Sequence, residues 1–120
     1  MPSTTQEVAI GLTALVKEQK YREATETYYA QDVVSTEPFG DPATVNGIDA
    51  VKAKLDWFEA NFQVNSGSVD GPFICDDIFA VEYTIDATNK ISGQRNTMHE
   101  VAVYTVADGK IVAEKFLNRQ

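Results

Sequence analysis

At 120 residues the chain is long enough for one domain with a buried core, and 43% hydrophobic and 23% charged residues are ordinary for a soluble globular protein. Ten Lys and Arg against eighteen Asp and Glu leave a net charge of -8, which argues against nucleic acid as a partner and against an anionic membrane surface. The single cysteine, Cys75, excludes an internal disulfide and a zinc cluster.

The first predicted element is a helix. Ser3 with Gln6, or Thr4 with Glu7, makes a capping box, and Val8, Leu12, Leu15 and Val16 follow at helical spacing. Gly11 costs this helix about 1 kcal/mol relative to Ala, so its place there points to close packing. A second short helix is predicted over Tyr21 to Tyr29, with Tyr21, Ala24, Thr25 and Tyr28 on one side. Asp32 to Glu37 reads as a short strand, ended by a loop with Pro38, Gly40 and Pro42. Pro38 biases Glu37 before it to an extended backbone. Asn46 to Asp49 opens a third helix whose stripe is Ile48, Val51, Leu55, Phe58 and Phe62, with Trp57 near its edge.

From Gln63 the hydrophobic period changes to that of strands. Val64 to Cys75, Ile78 to Asp86, Gln94 to Val106 and a last run from Ile111 to Leu117 are the predicted strands. Asp108-Gly109 between the last two is the strongest hairpin signal in the chain. Helices first and hairpin-connected strands after them predict one α+β domain over residues 1–120, with a mostly antiparallel sheet packed against three helices. Nothing near Met1 has the basic-then-apolar pattern of a secretory signal, and no apolar run approaches the roughly 18 residues of a membrane helix, so a cytoplasmic protein is expected.

Several segments together resemble the SnoaL-like branch of the nuclear transport factor 2-like superfamily, which also holds ketosteroid isomerase, scytalone dehydratase and polyketide cyclases. They are Tyr28 to Val34, Glu37-Pro38-Phe39-Gly40, Asn46 to Val51, and Asp108 to Ile111, in the family's order over nearly the whole chain. The resemblance implies a curved sheet closed by helices into a cone, an apolar pocket and commonly a homodimer. Glu37 before Pro-Phe-Gly is similar to the isomerase segment that carries the proton-shuttling base, and Tyr29 matches a family pocket tyrosine. Thr13 and Ala102 stand where the isomerase has its two oxyanion donors, which argues against steroid isomerisation.

The hairpin register decides which side chains face the pocket. A two-residue loop would pair Ala107 with Lys110 and set Glu114 opposite Val103, whereas a three-residue loop would pair Val106 with Lys110 and set Glu114 opposite Ala102. The family comparison favours the second. One face is then Met98, Glu100, Ala102, Tyr104, Val112, Glu114, Phe116 and Asn118. The other, with His99, Val101, Val103, Thr105, Ile111, Ala113 and Leu117, is suited to a second subunit. The same comparison turns Phe79, Val81 and Tyr83 inward. Phe39 and Phe58 are added to the expected pocket lining beside Tyr29.

Glu37, Glu100 and Glu114 are therefore the candidate catalytic residues, because carboxyls in an apolar chamber have raised pKa values suited to proton transfer. Glu37 is expected to lie against apolar neighbours and to titrate above a free glutamate, although Lys52 and Lys54 are within possible reach. Ser35 and Cys75 lack a neighbouring histidine pattern, and no metal-ligand spacing is present. The expected function is a cofactor-independent isomerase, cyclase or dehydratase acting on a small apolar carbonyl compound. The alternative is a non-catalytic ligand-binding or dimerisation module of the same fold.

Overall fold

The computed structural model describes residues 4–118. In chain order they form α1 (Thr5–Lys17), α2 (Tyr21–Tyr28), β1 (Tyr29–Thr36), β2 (Thr44–Asn46), α3 (Ile48–Asn61), β3 (Phe62–Cys75), β4 (Ile78–Asn89), β5 (Arg95–Ala107) and β6 (Lys110–Asn118). The strands make one sheet in the order β2-β1-β6-β5-β4-β3. Every pairing is antiparallel except β1 with β6. This is the expected α+β architecture, an unclosed curved sheet with three helices.

Local chemistry explains where the helices begin and how they meet. Thr4 caps α1: its hydroxyl accepts from the Glu7 N–H at 3.1 Å, and the Glu7 carboxylate accepts from the Thr4 N–H at 3.0 Å. Of the two capping boxes legible in the sequence this is the one formed, and Ser3 lies outside the described residues. Val8, Ala9, Leu12, Thr13 and Val16 are the buried face of α1. A Cβ on Gly11 would lie 1.9 Å from the Tyr28 hydroxyl, so the glycine is what lets α2 lie this close.

Two strand features depart from the sequence expectation. β1 starts at Tyr29 rather than Asp32, because Tyr29 already pairs with Ile111 of β6. Thr44–Asn46, where no strand is expected and Asn46 is expected to open the third helix, is a short edge strand paired with Val34, Ser35 and Thr36. Three residues carry too little pattern to show a strand, and pairing with β1 supplies it.

The β5–β6 hairpin corrects the expected register. Asp108 and Gly109 have φ of 52° and 76°, the two positive values of a two-residue type I′ turn, and Ala107 pairs with Lys110. A β-bulge then intervenes: Val106 pairs with Ile111 but Thr105 pairs with Ala113, leaving Val112 as the extra residue. Beyond it Tyr104 faces Glu114, Ala102 faces Phe116 and Glu100 faces Asn118. These pairs lie two residues from the expected ones, so the parity is unchanged and the division into two faces survives. Ile111 is the exception. It precedes the bulge, and it is fully buried instead of lying on the outer face.

The core lies between the helices and the concave side of the sheet, with Val8, Leu12, Val33, Phe79, Val81 and Ile111 among its least exposed members. Among the described residues no helix is long and apolar enough to cross a membrane.

Candidate acid–base site

The site begins with a charge in the core. Glu114 of β6 is 3% exposed. The parallel pairing of β1 with β6 sets Ser35 directly beside it, and the Ser35 hydroxyl donates to Glu114 Oε2 at 2.7 Å. The Tyr29 hydroxyl donates to the other oxygen, Oε1. Lys54, from α3, completes the set. Its ammonium donates to Ser35 Oγ at 2.7 Å and to Glu37 Oε2 at 2.8 Å, and it lies 5.4 Å from the centre of the Phe116 ring. An ammonium has no acceptor, so Ser35 must accept from Lys54 and pass its own proton towards Glu114. No buried side-chain nitrogen or oxygen among the described residues lacks a partner.

Glu100 stands apart from this chain. Its cross-strand neighbours are Tyr83 and Asn118. Among the described residues no hydrogen bond or ion pair engages its carboxylate. Burial pushes its pKa up to about 7, the charges of Glu37 and Glu114 push the same way, and Lys54 opposes them. Burial also raises Glu114, against the hydrogen bonds from Ser35 and Tyr29 and the charge of Lys54. Tyr83 and Tyr104 share a hydroxyl–hydroxyl bond of 2.8 Å. Burial raises the phenols of Tyr29, Tyr83 and Tyr104 as well, which keeps all of them neutral hydrogen-bonding groups.

Glu37, Glu100 and Glu114 are thus gathered on one side of the sheet, but their surroundings differ from those expected. Glu37, whose side chain is 37% exposed, has the Lys54 ammonium against it in place of a shell of apolar residues. Phe39 is 57% exposed on the loop after β1 and lines no chamber, because the loop carries it clear of the core. Phe58 is half-buried and stacks on Phe62 at the end of α3, outside the central cluster. Phe79, Val81 and Ala102 are buried, with Phe79 stacked on Tyr104 at 4.8 Å. Met98 and Phe116 are half-buried and Asn118 is exposed. His99 points to the outer face, beside the Thr84 hydroxyl.

Ser35 and Lys54 are the polar groups that sequence reasoning left out of the site. Their signals were present. Ser35 alternates with Val33 and Glu37, so all three share a face of the strand. Lys54 follows the buried Val51 by three residues, which brings it to the edge of the inward stripe of α3. Tyr83 and Tyr104 extend the alternations Phe79–Val81 and Glu100–Ala102 in the same way.

The space around these groups is largely filled. A cleft of about 540 Å³ is lined mainly from the outer face, by Glu82, His99, Val101 and Leu117, with Glu100 and Asn118 at its end. Another, of about 280 Å³, lies on the outer face over Ser66, Ser68, Thr84 and Asp86. Neither opens onto Glu114.

A six-stranded curved sheet that carries its polar cluster on the helix-covered side defines a nuclear transport factor 2-like α+β protein. Within that class, the model of the SnoaL-like domain matches residues 3–118, and the chain belongs to this family. A solved structure of a candidate SnoaL-like polyketide cyclase from Mesorhizobium loti, described also as a carbohydrate phosphatase, is 40% identical, with a TM-score of 0.92 over 96% of this chain and 99% of that one. A candidate isomerase from Bacillus subtilis is similar in fold at 17% identity, with a TM-score of 0.77 over 95% of this chain and 88% of that one. A candidate SnoaL-like polyketide cyclase from Jannaschia is similar at 15% identity, with a TM-score of 0.75 over 98% and 89%. No curated protein matches the chain.

Proposed function

We propose that the protein is a cofactor-independent proton-transfer catalyst, an isomerase, cyclase or dehydratase, acting on a small, uncharged, apolar carbonyl compound. One observation carries this reading: Glu100, gathered with Glu37 and Glu114 on the helix-covered side of the sheet, is a carboxyl without a partner among the described residues, and burial raises it to about 7. A base with that pKa is half ionised near neutral pH, where it can both take and return a proton. The role assigned from sequence to Glu37 passes to Glu100, because the Glu37 carboxylate is engaged by Lys54. Glu37 and Glu114 set the field around Glu100. The relatives described as polyketide cyclases and an isomerase support this class of chemistry. Among the described residues one ammonium stands among three carboxylates, which offers little to a phosphate ester and disfavours the phosphatase description for this chain.

The test is solvent deuterium exchange at the α-carbon of a panel of apolar ketones, followed by NMR. Exchange that Glu100→Gln slows by about a hundredfold or more supports the proposal. A panel that shows no Glu100-dependent exchange ends it. A specific observation favours the second reading, a binding or dimerisation module: Phe79, Tyr83 and Tyr104 fill the interior with their own rings. In that case no ketone is turned over.

We further propose that the chain forms a homodimer through the outer sheet face and that it resides in the cytoplasm. An exposed free thiol, Cys75, supports the second.

A further inference from the structure

The structure points to Lys54 as the positioning residue of this site. By donating at once to Ser35 and Glu37 it joins Glu37, Ser35, Glu114 and Tyr29 into one hydrogen-bonded chain, and so leaves Glu100 as the carboxylate free to exchange a proton. The inference rests on the same cluster as the proton-transfer reading, but it requires no turnover.

Four elements converge on the ammonium. The end of β1 and the loop after it supply Ser35 at 2.7 Å and Glu37 at 2.8 Å. β6 supplies the Phe116 ring beneath it and Glu114 one hydrogen bond further on, through Ser35. β5 supplies Glu100, on which Lys54 acts through space. On α3 itself, Lys52 turns towards Glu26 of α2 at 3.9 Å and takes no part. Tyr21 of α2 lies near enough to Glu100 for its phenol to feel that charge.

The direction of the chain follows from which groups can donate. Lys54 only donates, so Ser35 accepts from it and donates to Glu114 Oε2, while Tyr29 donates to Oε1. Both oxygens of Glu114 are thereby acceptors, the arrangement that suits an ionised carboxylate held inside the core. Removing the ammonium frees the Ser35 proton to turn elsewhere and removes the one cation that, among the described residues, lies beside the three acids. Lys54 is thus not itself a proton donor in the reaction. It ties two of three neighbouring glutamates into one hydrogen-bonded chain and leaves the third outside it.

The experiment uses the full chain with carbon-13-labelled glutamate side chains and follows the carboxyl resonances of Glu100 and Glu114 against pH. In Lys54→Met both midpoints should rise by about one pH unit or more, from loss of the nearby cation. In Ser35→Ala the charge stays but the chain is cut, so the Glu114 midpoint should rise while that of Glu100 stays in place. Amide spectra report whether each variant is folded. If Lys54→Met does not fold, Lys54→Gln, which retains hydrogen-bond donors without the charge, takes its place. Unmoved midpoints in the Lys54 variant overturn the inference. So does a Ser35→Ala variant in which Glu100 moves as far as Glu114. Shifted midpoints in a protein that exchanges no ketone would instead sink the catalytic reading and leave this one standing.

Discussion

Glu100 shows how burial and neighbouring charge combine at a single residue. Its value of about 7 lies above the ordinary 4.5, so the folded protein binds this proton more tightly than the unfolded chain does. The sign follows directly. The stabilising contribution is complete below about pH 4.5, declines as pH rises, and is gone above about pH 7, a span of about 3 kcal/mol at most. Glu100→Gln removes the titration. The variant should therefore be more stable than the parent at pH 8, by about 1–3 kcal/mol, and should flatten the slope between pH 4.5 and 7 in urea unfolding. Equal stabilities at pH 8 would show that the carboxylate is better solvated than its position implies. Glu37 teaches the complementary lesson. Its carboxylate sits where the strand pattern put it, but a cation 17 residues along the chain, Lys54, reaches it in space and changes its role.

Among the elements, the contact of α1 with α2 turns on one missing side chain. Ala in place of Gly11 gains about 1 kcal/mol in helix propensity. Its Cβ, however, would meet the Tyr28 hydroxyl at 1.9 Å, and overpacking costs about 1–3 kcal/mol. Gly11→Ala should thus lower stability by up to about 2 kcal/mol, although an isolated α1 peptide would be more helical with it. In a Tyr28→Ala background the same substitution should become stabilising, and chemical denaturation of the four proteins in this cycle reads the sign change. The hairpin illustrates another element-scale device. Ile111 and Glu114 are three residues apart and would face opposite ways in a regular strand, yet both are buried. The bulge at Val112 reconciles them, and with it the carboxylate is aimed at Tyr29 and Ser35.

At the scale of the whole molecule the outer sheet face is the unfinished surface. Ile78 and Leu117 are 37% and 48% exposed there, beside the half-buried Val101, Val103 and Thr105. Cross-strand pairing sets Ile78 against Thr105 and Leu117 against Val101, and Val101, Val103 and Thr105 continue the row along β5, with Glu82 and Lys115 at its flanks. A band of this kind in water favours association. The proposed homodimer should give twice the chain mass in light scattering at high micromolar concentration, and Val103→Asp, which puts a charge at its centre, should give monomer. A wild-type chain that scatters as a monomer would exclude this face as the interface.

The α+β class, the three helices and the four long strands were legible in periodicity and in turn residues, because those signals are local. The division of the last hairpin into an inward and an outward face came from the family comparison, and it survived, Ile111 excepted, because a bulge and a two-residue turn together preserve parity. The edge strand at Thr44–Asn46 and the parallel pairing of β1 with β6 were not legible, because both exist only through hydrogen bonds to distant segments. The character of the site was settled at that same level. Three glutamates could be named from one chain of letters. That Lys54 and Ser35 tie down two of them and leave Glu100 without a partner among the described residues depends on α3, β1 and β6 meeting in space, where an ion pair forms by proximity and carries no sequence spacing of its own.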